Sequence, residues 1–410
     1  MLLTVVFYSC NTDKNNNLST IDTETLFTLL DAKETGIDFL NKVKNQKNFN
    51  IFKYRNFYNG GGVAIGDINN DGLADIYLTG NMVANKLYLN KGNLTFEDIS
   101  VSAGIEGNKP WSTGVVMVDI NQDGLLDIYV SNAGNLKGNN HDNDLYINNG
   151  DLTFTEKASD FNLAKTGFST HASFFDYDKD GDLDAYILNN SNIPVSSLGY
   201  AEQRDKRAQD WENVPQIFRG VGDMLLRNDN GKFVDVSEEA GIYGSLIGFG
   251  LGVMVTDMNG DFYPDIYVSN DFYERDYLYL NNQDGTFKED ITNWTSHLSL
   301  SAMGVDIADI NNDGNADIFI TDMLPEADQR VKSVMEFEGY NVFKLKQSKD
   351  FSQQYIQNTL QLNNGNNTFS EVAYFSGVAK TDWSWAGLLF DMDNDGNRDI
   401  FITNGINHDL

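Results

Sequence analysis

The sequence has little cysteine, few basic residues and no long apolar run, and each shortage excludes a class of protein. Cysteine occurs once, at Cys10, so no intrachain disulfide framework can form. The longest apolar run stands at the N-terminus and is too short for a transmembrane helix. Lysine and arginine number 29 against 60 acidic residues. The resulting formal charge of −31 repels phosphate backbones, so nucleic acid is not expected as a partner.

The first residues form a short apolar segment that ends at Ser9 and Cys10 and precedes a polar run over 11–17. This segment resembles the end of a bacterial lipoprotein signal, which predicts lipidation at Cys10 and a signal remnant over 1–10. No basic residue precedes it, which indicates that the natural start lies upstream. The alternative is an ordinary N-terminal segment with a free thiol. Residues 11–47 are predicted to be a polar tether and a short helix, because the apolar residues of 20–47 have helical spacing.

The rest of the chain is organised by a repeat. A length of 410 residues exceeds what one hydrophobic core usually organises, and 41% hydrophobic residues suffice for a packed fold. A nonapeptide with aspartate at positions 1, 5 and 9 recurs six times, beginning at Asp67, Asp119, Asp176, Asp257, Asp309 and Asp391. The starts are separated by 52, 57, 81, 52 and 82 residues. An insertion of about 30 residues in each long gap leaves a period of roughly 50, the range of propeller blades.

The nonapeptide has the composition of a calcium loop. Side-chain oxygens at positions 1, 3, 5 and 9 and a main-chain carbonyl at position 7 can surround a hard divalent cation, while glycine at position 6 permits the sharp turn. The alternative for a single copy is a metal-free turn. Six copies favour about six Ca²⁺ sites. The fourth loop departs from the pattern, because Phe262 replaces the glycine and Pro264 precedes the last aspartate.

The predicted ligands follow the same five positions in every loop. The first three loops supply Asp67, Asn69, Asp71, Leu73, Asp75, Asp119, Asn121, Asp123, Leu125, Asp127, Asp176, Asp178, Asp180, Asp182 and Asp184. The last three supply Asp257, Asn259, Asp261, Tyr263, Asp265, Asp309, Asn311, Asp313, Asn315, Asp317, Asp391, Asp393, Asp395, Asn397 and Asp399. We expect these ions to be structural, because each loop offers enough protein oxygens to fill most of the coordination sphere.

The flanks of the loops predict strands. A small and apolar run precedes each loop, and a β-branched and aromatic run follows it, as in 61–66 and 76–79. A second motif then recurs, of the form Leu87-Tyr-Leu-Asn-Lys-Gly, with Thr95-Phe96 after it. Asparagine and glycine between β-rich runs are typical of a hairpin. Each repeat therefore predicts four short antiparallel strands, which is the content of one blade.

This repeat resembles the FG-GAP/VCBS blades of integrin α-subunits and bacterial surface proteins. The motifs 58–63, 323–325, 358–365 and 381–386 resemble the propeller region of the cartilage acidic protein family, in which an ASPIC/UnbV domain commonly follows. The similarity covers about residues 35–410. It implies an all-β propeller over 48–410 with six recognisable blades here, the last truncated, and seven in the full-length protein. The sixth blade is expected to be incomplete or to be completed by a strand from about 48–58.

The two long gaps contain insertions at 189–222 and 322–358, and each is predicted to be partly helical, over 200–211 and 327–335. Both follow the second strand of a blade, so they should emerge on one face of the propeller. They hold 9 of the 29 basic residues and several aromatic side chains, which suits a glycan or protein ligand. We therefore interpret the chain as an exported calcium-binding propeller that acts as a binding or adhesion module. It would lie at the cell surface as an outer membrane lipoprotein or be extracellular.

The alternative function is a carbohydrate-active enzyme similar to a polysaccharide lyase. Only the insertions could supply its site, because the motifs show no catalytic constellation. The four histidines share no metal-ligand spacing, and nearly every clustered aspartate belongs to a calcium loop. The protein is therefore not expected to be an enzyme.

Overall fold

The computed structural model describes residues 26–134, 140–191, 206–208, 222–335 and 338–405. The predicted signal remnant with Cys10, and most of the first insertion, lie outside these ranges. Within them most of the regular secondary structure consists of short antiparallel strands.

Five four-stranded sheets and one two-stranded sheet follow each other along the chain, and we number them sheets 1 to 6. Sheet 1 holds β1 (Val63–Gly66), β2 (Asp75–Leu78), β3 (Lys86–Asn90) and β4 (Phe96–Asp98). Sheet 2 holds β5 (Ser112–Val118), β6 (Asp127–Asn132), β7 (Asp144–Asn148) and β8 (Phe154–Glu156). Sheet 3 holds β9 (Ser169–Phe175), β10 (Asp184–Asn189), β11 (Met224–Asn228) and β12 (Phe233–Asp235).

The remaining three sheets follow in chain order, and a short parallel pair of strands lies outside them. Sheet 4 holds β13 (Gly250–Thr256), β14 (Asp265–Asn270), β15 (Tyr277–Asn281) and β16 (Phe287–Glu289). β17 (Leu298–Ser299) pairs in parallel with β20 (Gln354–Tyr355) outside the main sheets. Sheet 5 holds β18 (Gly304–Ala308), β19 (Asp317–Thr321), β21 (Thr359–Asn363) and β22 (Phe369–Glu371), and sheet 6 holds β23 (Ser384–Phe390) and β24 (Asp399–Asn404).

The order of strands confirms the predicted repeat. Neighbouring strands in each sheet are antiparallel, with the acidic nonapeptide between the first and second strands. The second motif spans the third and fourth strands, as predicted for a hairpin. Sheet 6 is incomplete among the described residues. The strand expected from 48–58 to complete it does not form, because that segment folds into turns and the 3-10 helix Arg55–Tyr58.

The first strands of successive sheets lie side by side, as the inner strands of propeller blades do. β1, β5, β9, β13, β18 and β23 contact one another in that order. Glycines permit this approach: a Cβ at Gly114 would lie 2.4 Å from the Thr170 carbonyl oxygen, and one at Gly304 would lie 2.3 Å from the Trp385 carbonyl oxygen. Hydroxyl groups link the strands as well. The Thr113 hydroxyl donates to the Ser169 carbonyl at 2.7 Å.

The apolar core lies between neighbouring sheets. Tyr77 and Leu87 of sheet 1 pack in one cluster with Val115 and Ile128 of sheet 2. A second cluster joins sheets 3 and 4 in the same way, and a third joins sheets 5 and 6. Burying aromatic and β-branched side chains between blades supplies the main favourable free energy of such a fold. Among the described residues the architecture is therefore all-β, with five four-stranded propeller-like sheets followed by a two-stranded one.

The helices are short and lie in the connections. They span Ala32–Thr35, Ser100–Ala103, Ala158–Phe161, Ile291–Trp294, Asp328–Val334, Tyr340–Ser348 and Ala373–Ser376. Asp328–Val334 forms within the helical stretch expected in the second insertion. In the part of the chain that the structure describes, no helix combines the length and the hydropathy needed to cross a bilayer.

The helix expected over 20–47 is a single turn in the described part of that segment. Asp31 caps it through its carboxylate, and Gly36 ends it in the left-handed conformation with φ of 80°. The apolar residues before it, including Leu26, Phe27 and Leu29, are exposed. Helical spacing predicted a longer helix, but isolated helices of this length are unstable unless an apolar face is buried against the protein. Phe27 does contact the ring of Phe401 in β24.

Candidate functional site

The six acidic nonapeptides lie at one end of the six sheets, each as the turn that joins a first strand to a second strand. Their backbones share one conformation. The residue at position 4 has a positive φ in every loop: Asn70, Gln122, Lys179, Gly260, Asn312 and Asn394. Position 6 also has a positive φ in every loop: Gly72, Gly124, Gly181, Phe262, Gly314 and Gly396. The repeated sequence therefore folds into one repeated turn.

The carboxylate at position 1 closes the turn. In the first loop the Asp71 N–H donates to one oxygen of Asp67 at 3.1 Å, and the Gly72 N–H donates to the other at 2.7 Å. The same two bonds recur in the other five loops. They hold the position-1 carboxylate over the middle of the loop. There its remaining lone pairs are available to a cation.

The aspartate at position 9 links the loop to the sheet. One oxygen of Asp127 accepts from the Ile120 N–H at 3.2 Å, and the other accepts from the Asn148 N–H at 2.8 Å. Asp75, Asp184, Asp265 and Asp317 make the same pair of bonds in their own sheets. Asp399 accepts from the Met392 N–H, and the third strand of its sheet is not present among the described residues. The position-9 carboxylate is therefore anchored before any cation binds.

The position-7 residues are held by the carboxylate at position 5. The N–H groups of Leu73, Leu125, Asp182, Tyr263, Asn315 and Asn397 donate to it at distances of 2.8 to 3.1 Å. This bond fixes the peptide that immediately precedes each predicted carbonyl ligand. Coordination by those carbonyls stays a prediction.

Carboxylate oxygens converge in the loops. In loop 3, oxygens of Asp176, Asp178 and Asp184 all lie within 4.8 Å of one another. In loop 6, Asp391, Asp393 and Asp395 form the same kind of cluster. These two loops have aspartate at position 3, where the other four have asparagine. A donor set made of carboxylate, amide and carbonyl oxygens fits a hard cation such as Ca²⁺.

The electrostatics of the loops also favour a bound cation. Burial raises the pKa of Asp127 to about 6, against two backbone hydrogen bonds that lower it, and the charges of Asp123 and Asp119 raise it further. Burial likewise raises the pKa of Asp184 to about 7 and that of Asp265 to about 6. A raised carboxyl pKa means that the negative charge is unfavourable where it stands. A divalent cation would remove that penalty.

The fourth loop adopts the common conformation despite its altered sequence. The Phe262 N–H donates to Asp257 at 2.7 Å, as the glycine at position 6 does elsewhere. Phe262 has a φ of 70°, and its side chain is 82% exposed. The departure noted in the sequence therefore places backbone strain in this loop without changing its hydrogen bonds.

Sequence reasoning missed one residue of the loops, the asparagine that ends the third strand. Its side chain ties the loops of two neighbouring sheets together. The Asn148 amide donates to the Leu126 carbonyl of its own loop at 3.1 Å and to the Ile68 carbonyl of the preceding loop at 2.8 Å. Asn281 bonds Tyr177 and Pro264 in the same way. The sequence does contain a pattern that indicates this residue, because asparagine ends the third strand in all five complete sheets. The hairpin motif alone predicts only a turn residue at that position.

The second insertion leaves sheet 5 at the opposite end, because it follows the second strand, which runs antiparallel to the first. Its described part is less basic at its surface than its sequence suggests. Lys346 is 1% exposed and lies 3.1 Å from Glu338, and Arg330 pairs with Asp382 at 2.6 Å. Nearby carboxylates thus neutralise part of the positive charge of this insertion.

Comparison with known proteins identifies the repeat. The model of the FG-GAP-like repeat matches residues 67–130, 133–187 and 257–320. The chain is similar to cartilage acidic protein 1 of Xenopus tropicalis, at 34% identity over 218 residues. The human protein of that name is 29% identical over 217 residues. Each match covers 52% of this chain, and 29% and 28% of those relatives.

Among solved structures, the chain is similar to an Agrocybe aegerita lectin described as recognising non-reducing terminal N-acetylglucosamine. The TM-score is 0.42 at 18% identity, covering 82% of this chain and 73% of that one. The predicted resemblance to FG-GAP repeats and to the cartilage acidic protein family is confirmed by the family model and the curated relatives.

Proposed function

We propose that this chain is an exported binding or adhesion module in which about six Ca²⁺ ions stabilise the propeller. The observation that carries the proposal is the repetition of one oxygen-lined turn at the same end of six successive sheets, with the same hydrogen bonds in each. The proposed ligands are the five positions of each nonapeptide. A turn that needed no cation would not require carboxylates at positions 1, 5 and 9 in every copy.

A structural role for calcium is favoured over a catalytic one. Each loop would surround its ion with side chains and a carbonyl from nine consecutive residues, and the position-9 carboxylate also bonds the third strand. Ion binding would therefore stabilise the link between the first three strands of a sheet. A catalytic metal keeps an open coordination position facing a cleft instead.

The proposed calcium sites also indicate that the protein functions outside the cytosol. Extracellular calcium modules bind with Kd of about 10⁻⁴ to 10⁻³ M, so such loops would fill outside the cell and stay largely empty in the cytosol. The lipoprotein-like segment ending at Cys10 agrees with export. Attachment to an outer membrane through that cysteine is part of the proposal.

Binding is assigned to the end opposite the calcium loops. In this proposal the insertions and the starts of the first strands form the binding surface at that end. Loops positioned by a rigid repeat scaffold commonly carry binding sites. The ligand proposed is a glycan or a protein.

The test is the stoichiometry of calcium binding, measured by titration calorimetry of the chelator-treated chain. We expect about six ions for the wild type and one fewer for Asp178→Ala, because Asp178 belongs to the carboxylate cluster of loop 3 and alanine leaves position 3 without an oxygen. Asp328→Ala is the matched control, since Asp328 is exposed at the start of a helix outside the loops. Equal stoichiometry for wild type and Asp178→Ala would contradict the assignment, as would a folded wild type that binds no calcium.

A further inference from the structure

A pocket of about 280 Å³ lies on the axis, at the end opposite the acidic loops. Residues at or just before the first strands of all six sheets line it, among them Val63, Thr113, Thr170, Leu251, Met303 and Ala386. The acidic loops follow the other ends of those strands. The pocket is thus formed by residues from all six sheets and is separate from the acidic loops.

The lining of this axial pocket carries no charged side chain among the described residues. That is unexpected in a chain with 60 acidic and 29 basic residues. His171 also lines it, and burial lowers the pKa of its imidazole, which favours the neutral form. A cation would find no carboxylate there, and an anion would find no lysine or arginine. The ligand that fits is neutral.

Two buried polar side chains in the lining lack hydrogen bonds within the described part of the chain. Trp111 is 1% exposed, and its indole N–H has no acceptor. Asn56 is 3% exposed, and neither its amide nitrogen nor its amide oxygen has a partner in hydrogen-bond geometry. Leaving such buried groups unpaired is unfavourable. A ligand with both donors and acceptors would remove that cost.

The other walls are apolar or aromatic. Trp111 and Trp385 stand in the lining with Leu251 and Met303. Aromatic faces beside amide and imidazole groups suit a ring that has apolar C–H faces and polar hydroxyl edges. The volume lies near the lower end of the range for small-molecule pockets, which is enough for one such ring.

We propose that the axial pocket binds one unit of a neutral saccharide, with Asn56, Trp111 and His171 as the hydrogen-bonding groups. The assignment rests on the proposed binding function and specifies its ligand class and position. Uronic and sialic acids are excluded as occupants, because a carboxylate would enter an uncharged, partly desolvated site without a counter-charge.

The experiment fills the pocket by enlarging an exposed side chain of its lining. Val63 lines it and is 59% exposed, whereas Ile65 lies two residues further along β1 on the same face, is 66% exposed and is not part of the lining. Val63→Trp should fill the pocket, and Ile65→Trp adds the same side chain beside it. Both variants and the wild type are titrated, in calcium, with the methyl glycosides of neutral hexoses and N-acetylhexosamines and with glucuronic acid.

We expect at least one neutral glycoside to bind the wild type and Ile65→Trp with equal affinity, and to bind Val63→Trp at least tenfold more weakly. Asn56→Leu should also lose at least tenfold while its melting temperature is unchanged or higher, because it replaces an unpaired buried amide by an apolar side chain of similar size. Glucuronic acid should not bind.

Two results would overturn the assignment: no neutral glycoside binds the folded, calcium-loaded wild type, or Val63→Trp binds as tightly as Ile65→Trp. Either result removes the axial site alone. The proposed function then still stands or falls on its calcium stoichiometry and on binding of other ligands.

Discussion

The residue just before the third strand is asparagine in some sheets and aspartate in others. Asn143 accepts from the Asn132 N–H at 2.8 Å and donates to the Tyr129 hydroxyl at 2.8 Å. Asp276 occupies the same place in sheet 4, where it accepts from the Asn270 N–H and from the Tyr267 hydroxyl, both at 2.8 Å. The neutral amide and the acid thus serve one structural role, and only the acid carries a charge that burial disfavours.

We predict that Asp276→Asn stabilises the protein at pH 8 and reduces its pH dependence. Burial raises the pKa of Asp276 to about 7 in the folded chain, above its ordinary value of 3.8. The folded state therefore holds this proton more tightly, so the carboxyl's contribution to stability is full below pH 4 and is lost as the pH rises through 7. If the variant recovers the part of that loss that corresponds to one pKa unit, its free energy of unfolding at pH 8 rises by about 1.4 kcal/mol.

The measurement is the melting temperature of wild type and variant from pH 5 to pH 8 at saturating calcium. The variant should melt roughly 2–4 °C higher at pH 8, and the difference should be smaller at pH 5. Asp223, whose pKa is also raised to about 7 by burial, gives an independent repeat as Asp223→Asn. A variant that melts lower than the wild type at pH 8 would show that the charge is compensated.

A second prediction concerns the strained position in loop 4. Phe262→Gly should stabilise the protein, because a non-glycine residue in the left-handed region costs about 1–2 kcal/mol, against about 0.5–1 kcal/mol for the entropy of glycine. The phenyl group is 82% exposed, so little packing is lost. Phe262→Ala is the control, since it removes the ring and keeps the strain. Urea denaturation of the wild type and the two variants measures their stability. A gain of stability in both variants, or in neither, would contradict the assignment of strain to Phe262.

At the scale of elements, the asparagines that end the third strands of sheets 2 and 4, Asn148 and Asn281, each connect two acidic loops. Asn148→Ala should lose two hydrogen bonds to the Ile68 and Leu126 carbonyls and leave those acceptors unpaired, at a cost of about 2–4 kcal/mol. Asn149→Ala is the matched control, because Asn149 is exposed and its side chain bonds only within its own hairpin turn. Urea denaturation in the presence of calcium measures the loss of stability in both variants. Equal losses would show that Asn148 is an ordinary turn residue.

Local elements were predictable from the sequence, and long-range placements were not. Each acidic loop and each hairpin is specified within about ten residues, so the motifs at Asp67 and Leu87 predicted the observed strands around them. In the described part of 20–47 the predicted short helix is limited to Ala32–Thr35, and apolar residues such as Leu26, Leu29 and Leu40 are exposed. Lys346 counted as an exposed cation because the sequence does not show that Glu338 and the Tyr273 ring surround it. The axial pocket needs all six sheets, so no single motif indicates it.

At the scale of the whole molecule, the charge balance and the fold depend on the same loops. Aspartates at positions 1, 3, 5 and 9 of the loops number 20, one third of all acidic residues, and they lie in six turns at one end of the sheets. Six Ca²⁺ ions would change the formal charge from −31 to about −19. A ligand that binds only the folded state stabilises it by RT ln(1 + [L]/Kd), about 1.4 kcal/mol per site at tenfold excess over Kd and about 8 kcal/mol for six sites. That is comparable with the whole stability of a domain, about 5–15 kcal/mol.

The most direct test of the account is therefore the melting temperature of the chain in chelator, in Ca²⁺ and in Mg²⁺. We expect melting to fall by tens of degrees in chelator and to recover fully when Ca²⁺ is restored. Mg²⁺ should restore it poorly, because it is smaller, demands octahedral geometry and loses water reluctantly. Equal melting temperatures in chelator and in calcium would show that the six loops are turns without a metal, and would contradict the central claim.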